Sequence, residues 1–280
     1  MARNTKVLVA VVWSVSAVVC GTVSGPARAS DFATEVVSYY TGTSATPPKL
    51  EHPTYVNPLT ALGEPSRVTG TGDWVSDVTM FNPPYLTNQI VSIGRGGHLT
   101  VKFDHPVHDN ALGTCYGLDL IVFGNAGFVD GSDDWSGVAA GLFGADGGNV
   151  RVSQDGLTWF DIVGVTVDDL WPTLGYTDTS GPYANDGATP TDFTIPVNPN
   201  ADPSNKTFAE LVALYKGSGG GTGIDIASTG LDWIQYVNVW ASDTAAFDVE
   251  IDGFADVVPE PATLALLVLG AGVALRRRRQ

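Results

Sequence analysis

Apolar and polar residues alternate along Leu99-Thr-Val-Lys-Phe103, so Leu99, Val101 and Phe103 share one face of a predicted strand and Thr100 and Lys102 the other. Turn-forming segments bound it, Gly94-Arg-Gly-Gly97 before and Asp104-His-Pro106 after. Residues 118–123 form a largely apolar run, which predicts a strand near a sandwich interior. Residues 150–153 and 158–163, joined through Gln154-Asp155-Gly156-Leu157, predict a hairpin with Asp-Gly in its tight turn. Two further strands are expected at 233–240 and 247–254. A single helix stands out. Thr207-Phe-Ala-Glu210 is a capping box, Phe208, Leu211, Val212 and Tyr215 fall on one face, and Gly217 ends the run. Residues 164–204, rich in Asp, Thr, Pro and Gly, are expected to run over the surface, and residues 30–60 to form a lead-in. No internal repeat is visible, which disfavours propellers and solenoids. The pattern predicts a mainly β fold: a jelly-roll-like β-sandwich over residues 61–257 with one short helix.

The two ends follow other rules. Arg3 and Lys6 precede an apolar stretch at 7–20, and a small-residue segment closes with Ala27-Arg28-Ala29. That order is a secretory signal peptide, residues 1–29, cut by signal peptidase after Ala29 to leave Ser30 first. At the other end, Pro259, Glu260 and Pro261 precede a 14-residue apolar run at 262–275, then Arg276, Arg277, Arg278 and Arg279. As a helix the run would measure about 21 Å, short of the roughly 30 Å of a bilayer core. The arginines would hold on the cytoplasmic side, and the prolines leave an extended, protease-accessible strip upstream. The segment 258–280 resembles the PEP-CTERM sorting signal. The resemblance implies recognition and cleavage by exosortase, transient anchoring in the inner membrane through the C-terminal hydrophobic helix, and final residence at the cell surface or in the extracellular matrix.

Removing both ends changes the charge. The whole chain carries 14 basic and 30 acidic residues, but seven basic and 29 acidic ones remain between the two signals, a formal charge of −22. Such a surface repels nucleic acid and anionic membranes, which leaves membrane contact to the terminal segments alone. Cys115 is the lone cysteine after the signal is cut, so a core or a metal, and not an internal disulfide, must hold the domain.

Ala61-Leu-Gly-Glu-Pro65, the stretch from Val91 to Phe103, Asp119-Leu-Ile-Val-Phe-Gly-Asn125 and Val150-Arg-Val-Ser-Gln-Asp-Gly156 resemble the core of exported PEP-CTERM surface proteins, similar in layout to galactose-binding-like sandwiches. Gly124 stands where that family has an acidic residue after its Val-Phe pair.

Candidate chemistry lies in acids and aromatics. Asp130, Asp133 and Asp134 share one loop, and Asp248, Glu250 and Asp252 alternate along the last strand, opposite Phe247, Val249 and Ile251. Either set is a candidate calcium ligand group, since calcium takes several carboxylate and carbonyl oxygens. The strand set is equally what a solvent-facing strand presents. His105-Pro-Val-His108 is read as a turn, because two histidines alone do not make a zinc site. Trp74, Trp135, Trp171 and Tyr183 fall in expected loops, where an aromatic plane stacks on a sugar ring. No Ser/His/Asp arrangement is evident. These features point to a non-enzymatic surface or matrix protein engaging polysaccharide, with two rivals. One is a glycan hydrolase or lyase using Asp133, Asp134 or Asp169; the other is a purely structural matrix protein.

Overall fold

The computed structural model describes residues 30–43, 55–110 and 115–258. The expected signal peptide with Ala27 and Ala29, and the tail from Pro259 through Arg279, lie outside the described residues. Among the described residues, thirteen strands follow in chain order: β1 (Glu35–Tyr40), β2 (Val68–Thr69), β3 (Ser76–Asp77), β4 (Val91–Ile93), β5 (His98–His108), β6 (Leu120–Gly124), β7 (Gly127–Asp130), β8 (Ala139–Phe143), β9 (Asn149–Ser153), β10 (Phe160–Asp161), β11 (Thr222–Ile224), β12 (Trp233–Trp240) and β13 (Val249–Asp256). The helix α1 (Phe208–Tyr215) precedes β11. One antiparallel sheet runs β1-β5-β12-β9-β10 and a second runs β11-β6-β13-β4.

The two sheets pack face to face as a β-sandwich. Leu99, Val101 and Phe103 of β5, Val150 and Val152 of β9, and Val237 and Val239 of β12 meet Val91, Ile93, Leu120, Val122, Val249 and Ile251 from the opposite sheet in one core. The alternation read in 99–103 therefore decides which side of β5 is inside.

The segment expected as a lead-in belongs to the sandwich. β1 pairs with β5, turns Val36 and Tyr39 toward the core, and sends the Tyr39 hydroxyl to Ser92 O of the other sheet at 2.7 Å. The domain starts near residue 30, not 61. As an edge strand with most residues exposed, β1 lacks the strong alternation that marks a half-buried strand. Its entry lies beside the chain's exit: Asp256 N–H donates to Asp31 O at 2.8 Å, and Phe32 bridges Ala255.

Segment 164–204 also departs from expectation, since it does not run free over the surface. Trp171, Leu174 and Val197 pack with Met80, Phe128 and the α1 residues Phe208, Leu211 and Tyr215 in a second core, and Phe193 meets Ile121 and Phe123 in a third. This layer covers the outer face of the four-stranded sheet, so β6 is buried on both sides. That explains its unbroken apolar run. α1 forms as its sequence predicts, with Thr207 as cap and both capping-box hydrogen bonds present. Lys216, in the left-handed conformation, ends it one residue before Gly217.

Two turn expectations are corrected. β5 continues through Asp104-His-Pro106 to His108, with β12 pairing alongside its end at Trp233↔His108. Pro106 lacks only a donor, which an interrupted register tolerates. The Asp-Gly hairpin is a loop, not a two-residue turn: Ser153 and Phe160 end the paired strands. Asp155 builds it by accepting from the Leu157 and Thr158 N–H groups, each at 2.8 Å.

Candidate functional site

The loop that follows β7 is built around Asp130. Its carboxylate accepts from Ser132 N–H at 2.9 Å, Ser132 Oγ at 2.6 Å, and Gly137 and Val138 N–H at 3.1 Å each. Burial works against the charge, but the Ser132 hydroxyl and these N–H groups outweigh it and hold Asp130 below the usual carboxylate range. Asp134 accepts from Ser136 N–H at 3.2 Å, and Asp133 is exposed. Asp130 thus spends its oxygens on its own loop, and with Asp134 it fixes that loop as a platform.

What that platform carries is Trp135. The residue adopts a left-handed φ of 60° and is 70% exposed. Tyr183, 43% exposed, lies edge-on to it with ring centroids 6.2 Å apart at 69°. Gly137 makes the approach possible, since a Cβ there would stand 2.8 Å from Pro182 Cγ. The third expected aromatic is tethered to the same loop: Trp74, 84% exposed, precedes β3, whose Asp77 N–H donates to Ala184 O at 2.8 Å. Asp77 Oδ2 also accepts from Thr179 Oγ1 and Gly187 N–H. The fourth expected aromatic does not reach the surface. Trp171 is only 5% exposed and packs edge-on against Tyr215, centroids 5.9 Å apart, so it supports the second core and offers no face to a ligand.

The acids of the last strand do not act as a set. Asp248 and Asp252 are each only 2% exposed, so the solvent-facing face expected of them is overturned. A register shift between Ile251 and Gly253 turns Asp252 onto Ser66, whose N–H and Oγ it takes at 2.7 and 2.9 Å. Burial pushes Asp252 up to about 7. Glu250 instead converges with Asp146 and Asp168, each offering an oxygen within 4.8 Å of the others. Asp168 is the buried centre of this group. It accepts from Asn125 and Ala126 N–H on Oδ1 at 2.9 and 3.1 Å, and from Glu250 N–H on Oδ2 at 2.9 Å. Desolvation, with Asp146 adding to it, pushes Asp168 well above the usual range. Asn125 Oδ1 is buried with no hydrogen-bond donor among the described residues. Three convergent carboxylates are hard-cation chemistry.

Asp168 also accounts for Gly124. A Cβ at that position would overlap the Asp168 carboxylate and stand 2.8 Å from its Cα. The space beside Gly124 is filled by Asp168, a residue that no local motif announced.

A second acidic group, Asp109, Asp119 and Asp225, likewise brings one oxygen from each residue within 4.8 Å of the others. Asp119 is fully buried and spends both oxygens on backbone, Oδ1 on Asn110 N–H at 2.5 Å and Oδ2 on Ile226 N–H at 2.8 Å. Burial, with Asp109 and Asp225 adding to it, pushes it up to about 7. Asp169 accepts from Thr166 Oγ1 at 2.8 Å and from its neighbour Leu170 N–H at 2.9 Å.

Residues 257–279 match the family described as the PEP-CTERM protein-sorting motif. The chain therefore carries the mark of an exosortase-dependent extracellular or surface protein. A comparison with curated proteins finds no match. Among the described residues, no helix is long and apolar enough to cross a membrane.

Proposed function

We propose that this sorted surface protein is a non-catalytic module that engages polysaccharide at the loop end formed by Trp135 and Tyr183. The observation that carries it is an exposed aromatic pair held rigid by a self-satisfied loop. Trp135 is 70% exposed, and two rings at 69° offer a sugar one face and one edge. Calcium enters through Asp146, Asp168 and Glu250, which lie just beyond the Gly124 end of β6, the strand that leads into β7 and the Trp135 loop. The galactose-binding-like resemblance of the core agrees with such a role. Signal peptidase and exosortase act during export, and the hydrophobic tail serves as a transient anchor.

Binding of the purified protein to a panel of polysaccharides, with calcium and then with chelator, tests the site. Saturable binding is expected, with Trp135→Ala weakening it at least about tenfold, as for a central aromatic anchor. Binding untouched by Trp135→Ala would move the site elsewhere, and no saturable ligand at all would favour a structural matrix role. Turnover of a glycan in the same assay would establish the hydrolase or lyase instead. Chelator-sensitive binding, lost again in Glu250→Gln, is the expected signature of calcium.

Processing has its own measurement. The intact mass of the native protein is expected to lack residues 1–29 and the segment beyond the Pro-Glu-Pro motif. A mass that still includes Arg276 to Arg279 would sink the sorting cut.

A further inference from the structure

The four-stranded sheet is covered on its outer face by the second and third cores, whereas on the outer face of the five-stranded sheet Thr100 and Asn238 are buried while His98, Arg151 and Trp240 stay partly exposed. Cross-strand register lines up Tyr40, His98 and Trp240 in one row, and Ser38, Thr100, Asn238 and Arg151 in the next. The second row is a single hydrogen-bonded chain. Ser38 Oγ and Asn238 Nδ2 both donate to Thr100 Oγ1, at 2.9 and 2.7 Å, and Arg151 Nε donates to Asn238 Oδ1 at 2.9 Å. Trp159 lies against the guanidinium, its ring centroid 5.2 Å from Cζ.

Arg151 is thus fixed by its Nε and one face, while its terminal nitrogens are left over. Among the described residues neither Nη atom has a hydrogen-bond or ion-pair partner, although Asp161 is the Cα partner of Arg151 on β10. In a chain with seven basic residues between its two signals, a braced arginine with a free donor fork is conspicuous. Such a fork matches a carboxylate through two parallel N–H···O bonds.

Arg151 lines a cavity of about 330 Å³ together with Gly96, Gly97, His98, Trp240 and Asp243. Burial, and then the Arg151 charge, push His98 below its ordinary range, so the imidazole is a neutral hydrogen-bonding group at pH 7. Asp243 accepts from hydroxyls and repels any second anion. Trp240 offers a ring edge or face on the same wall. One carboxylate site, hydroxyl partners and an aromatic surface are the complement of a single acidic sugar.

We propose that this cavity binds a uronate residue of an acidic polysaccharide, with Arg151 holding the carboxylate through both Nη atoms and Trp240 against the sugar ring. The site shares no residue with the Trp135 loop and does not rest on it, so the two fail separately. A protein carrying both would bridge two glycan strands.

Calorimetric titration of the purified protein with uronate trisaccharides (galacturonate, glucuronate, mannuronate) and with their methyl esters tests it. One acid is expected to bind saturably and its ester, uncharged and larger by one methyl, at least about tenfold more weakly. Arg151→Lys keeps the charge but loses the fork, and is expected to cost about 10- to 100-fold for the acid with little change for the ester. Trp135→Ala is expected to change neither. Equal affinity for acid and ester, parental binding by Arg151→Lys, or no saturable binding of any acid would each overturn the assignment. The acid–ester comparison needs no variant, and an unchanged melting curve shows that Arg151→Lys is folded.

Discussion

Asp168→Ala is expected to destabilise the domain by roughly 3–5 kcal/mol, measured as the shift in urea midpoint at constant slope. The side chain is 1% exposed and is the acceptor for three backbone N–H groups, two from the end of β6 and one from β13. Each buried donor left without a partner costs about 1–3 kcal/mol. The loss would be a large share of the roughly 5–15 kcal/mol that holds a domain together. Asp168→Asn keeps an acceptor for Asn125 and Ala126 but sets an amide N–H₂ against Glu250 N–H, so an intermediate loss is expected. Gly124→Ala attacks the same contact from the other side, because its new methyl would displace the carboxylate. A midpoint within about 1 kcal/mol of the parent for Asp168→Ala would show that the three donors find other acceptors. Calcium gives the same group a second readout. A cation among Asp146, Asp168 and Glu250 would favour the ionised acids and raise the melting temperature of the parent, but not of Asp168→Asn.

The parts legible in the sequence are those where one local period or motif decides the outcome. β5, β6, β9 and β12 announce themselves because their apolar residues either alternate or run unbroken, and α1 because its cap is four residues long. β1 escapes because an edge strand has little to bury. The 164–204 segment misleads because Asp, Thr, Pro and Gly are turn formers, and its few large residues, Trp171, Leu174 and Phe193, are spaced without period. They become a core only when the α1 segment and the four-stranded sheet meet them. The site divides in the same way. Trp135 and Tyr183 could be named from loop position, yet their pairing spans 48 positions and depends on a left-handed backbone at Trp135. Glu250 was readable as an acid on a strand, but its partners Asp146 and Asp168 come from loops with no spacing to connect them. Arg151 was hidden in plain alternation: only the register of four strands shows that Asn238 and Thr100 brace it.

Raising the pH from about 4 to above 7 is expected to weaken the fold, contrary to the usual behaviour of carboxylate-rich proteins. Burial pushes Asp119 and Asp252 up to about 7, and Asp168 is raised as well. Between the unfolded value near 3.8 and the folded one, the native state holds a proton that the unfolded chain has released. Stability therefore falls as pH rises through that window. His105 acts in the same direction. Burial opposes its charge, but Asp104 at 2.8 Å and Asp256 at 2.9 Å outweigh it and raise its pKa, so its contribution is present at low pH and lost as it deprotonates. Acids held low work the other way. Asp178, drawn to about 2 by Thr189 and Ala188, stabilises above the ordinary carboxylate range and loses that contribution only as pH falls toward 2. The two sets place maximum stability near pH 4–5. For Asp252, fully buried, the shift corresponds to at most about 4 kcal/mol at neutral pH, using 1.36 kcal/mol per unit. Urea unfolding at pH 4.5 and 7.5, without calcium, measures the whole effect. Asp252→Asn isolates one part, because the neutral amide still meets Ser66 N–H and Oγ but has no proton to lose. The variant is expected to match the parent at the lower pH and exceed it at the higher one. Stability that is flat or rising from pH 4.5 to 7.5 would mean that these buried acids ionise with a counter-charge in place, and a bound cation would then be the first candidate to supply it.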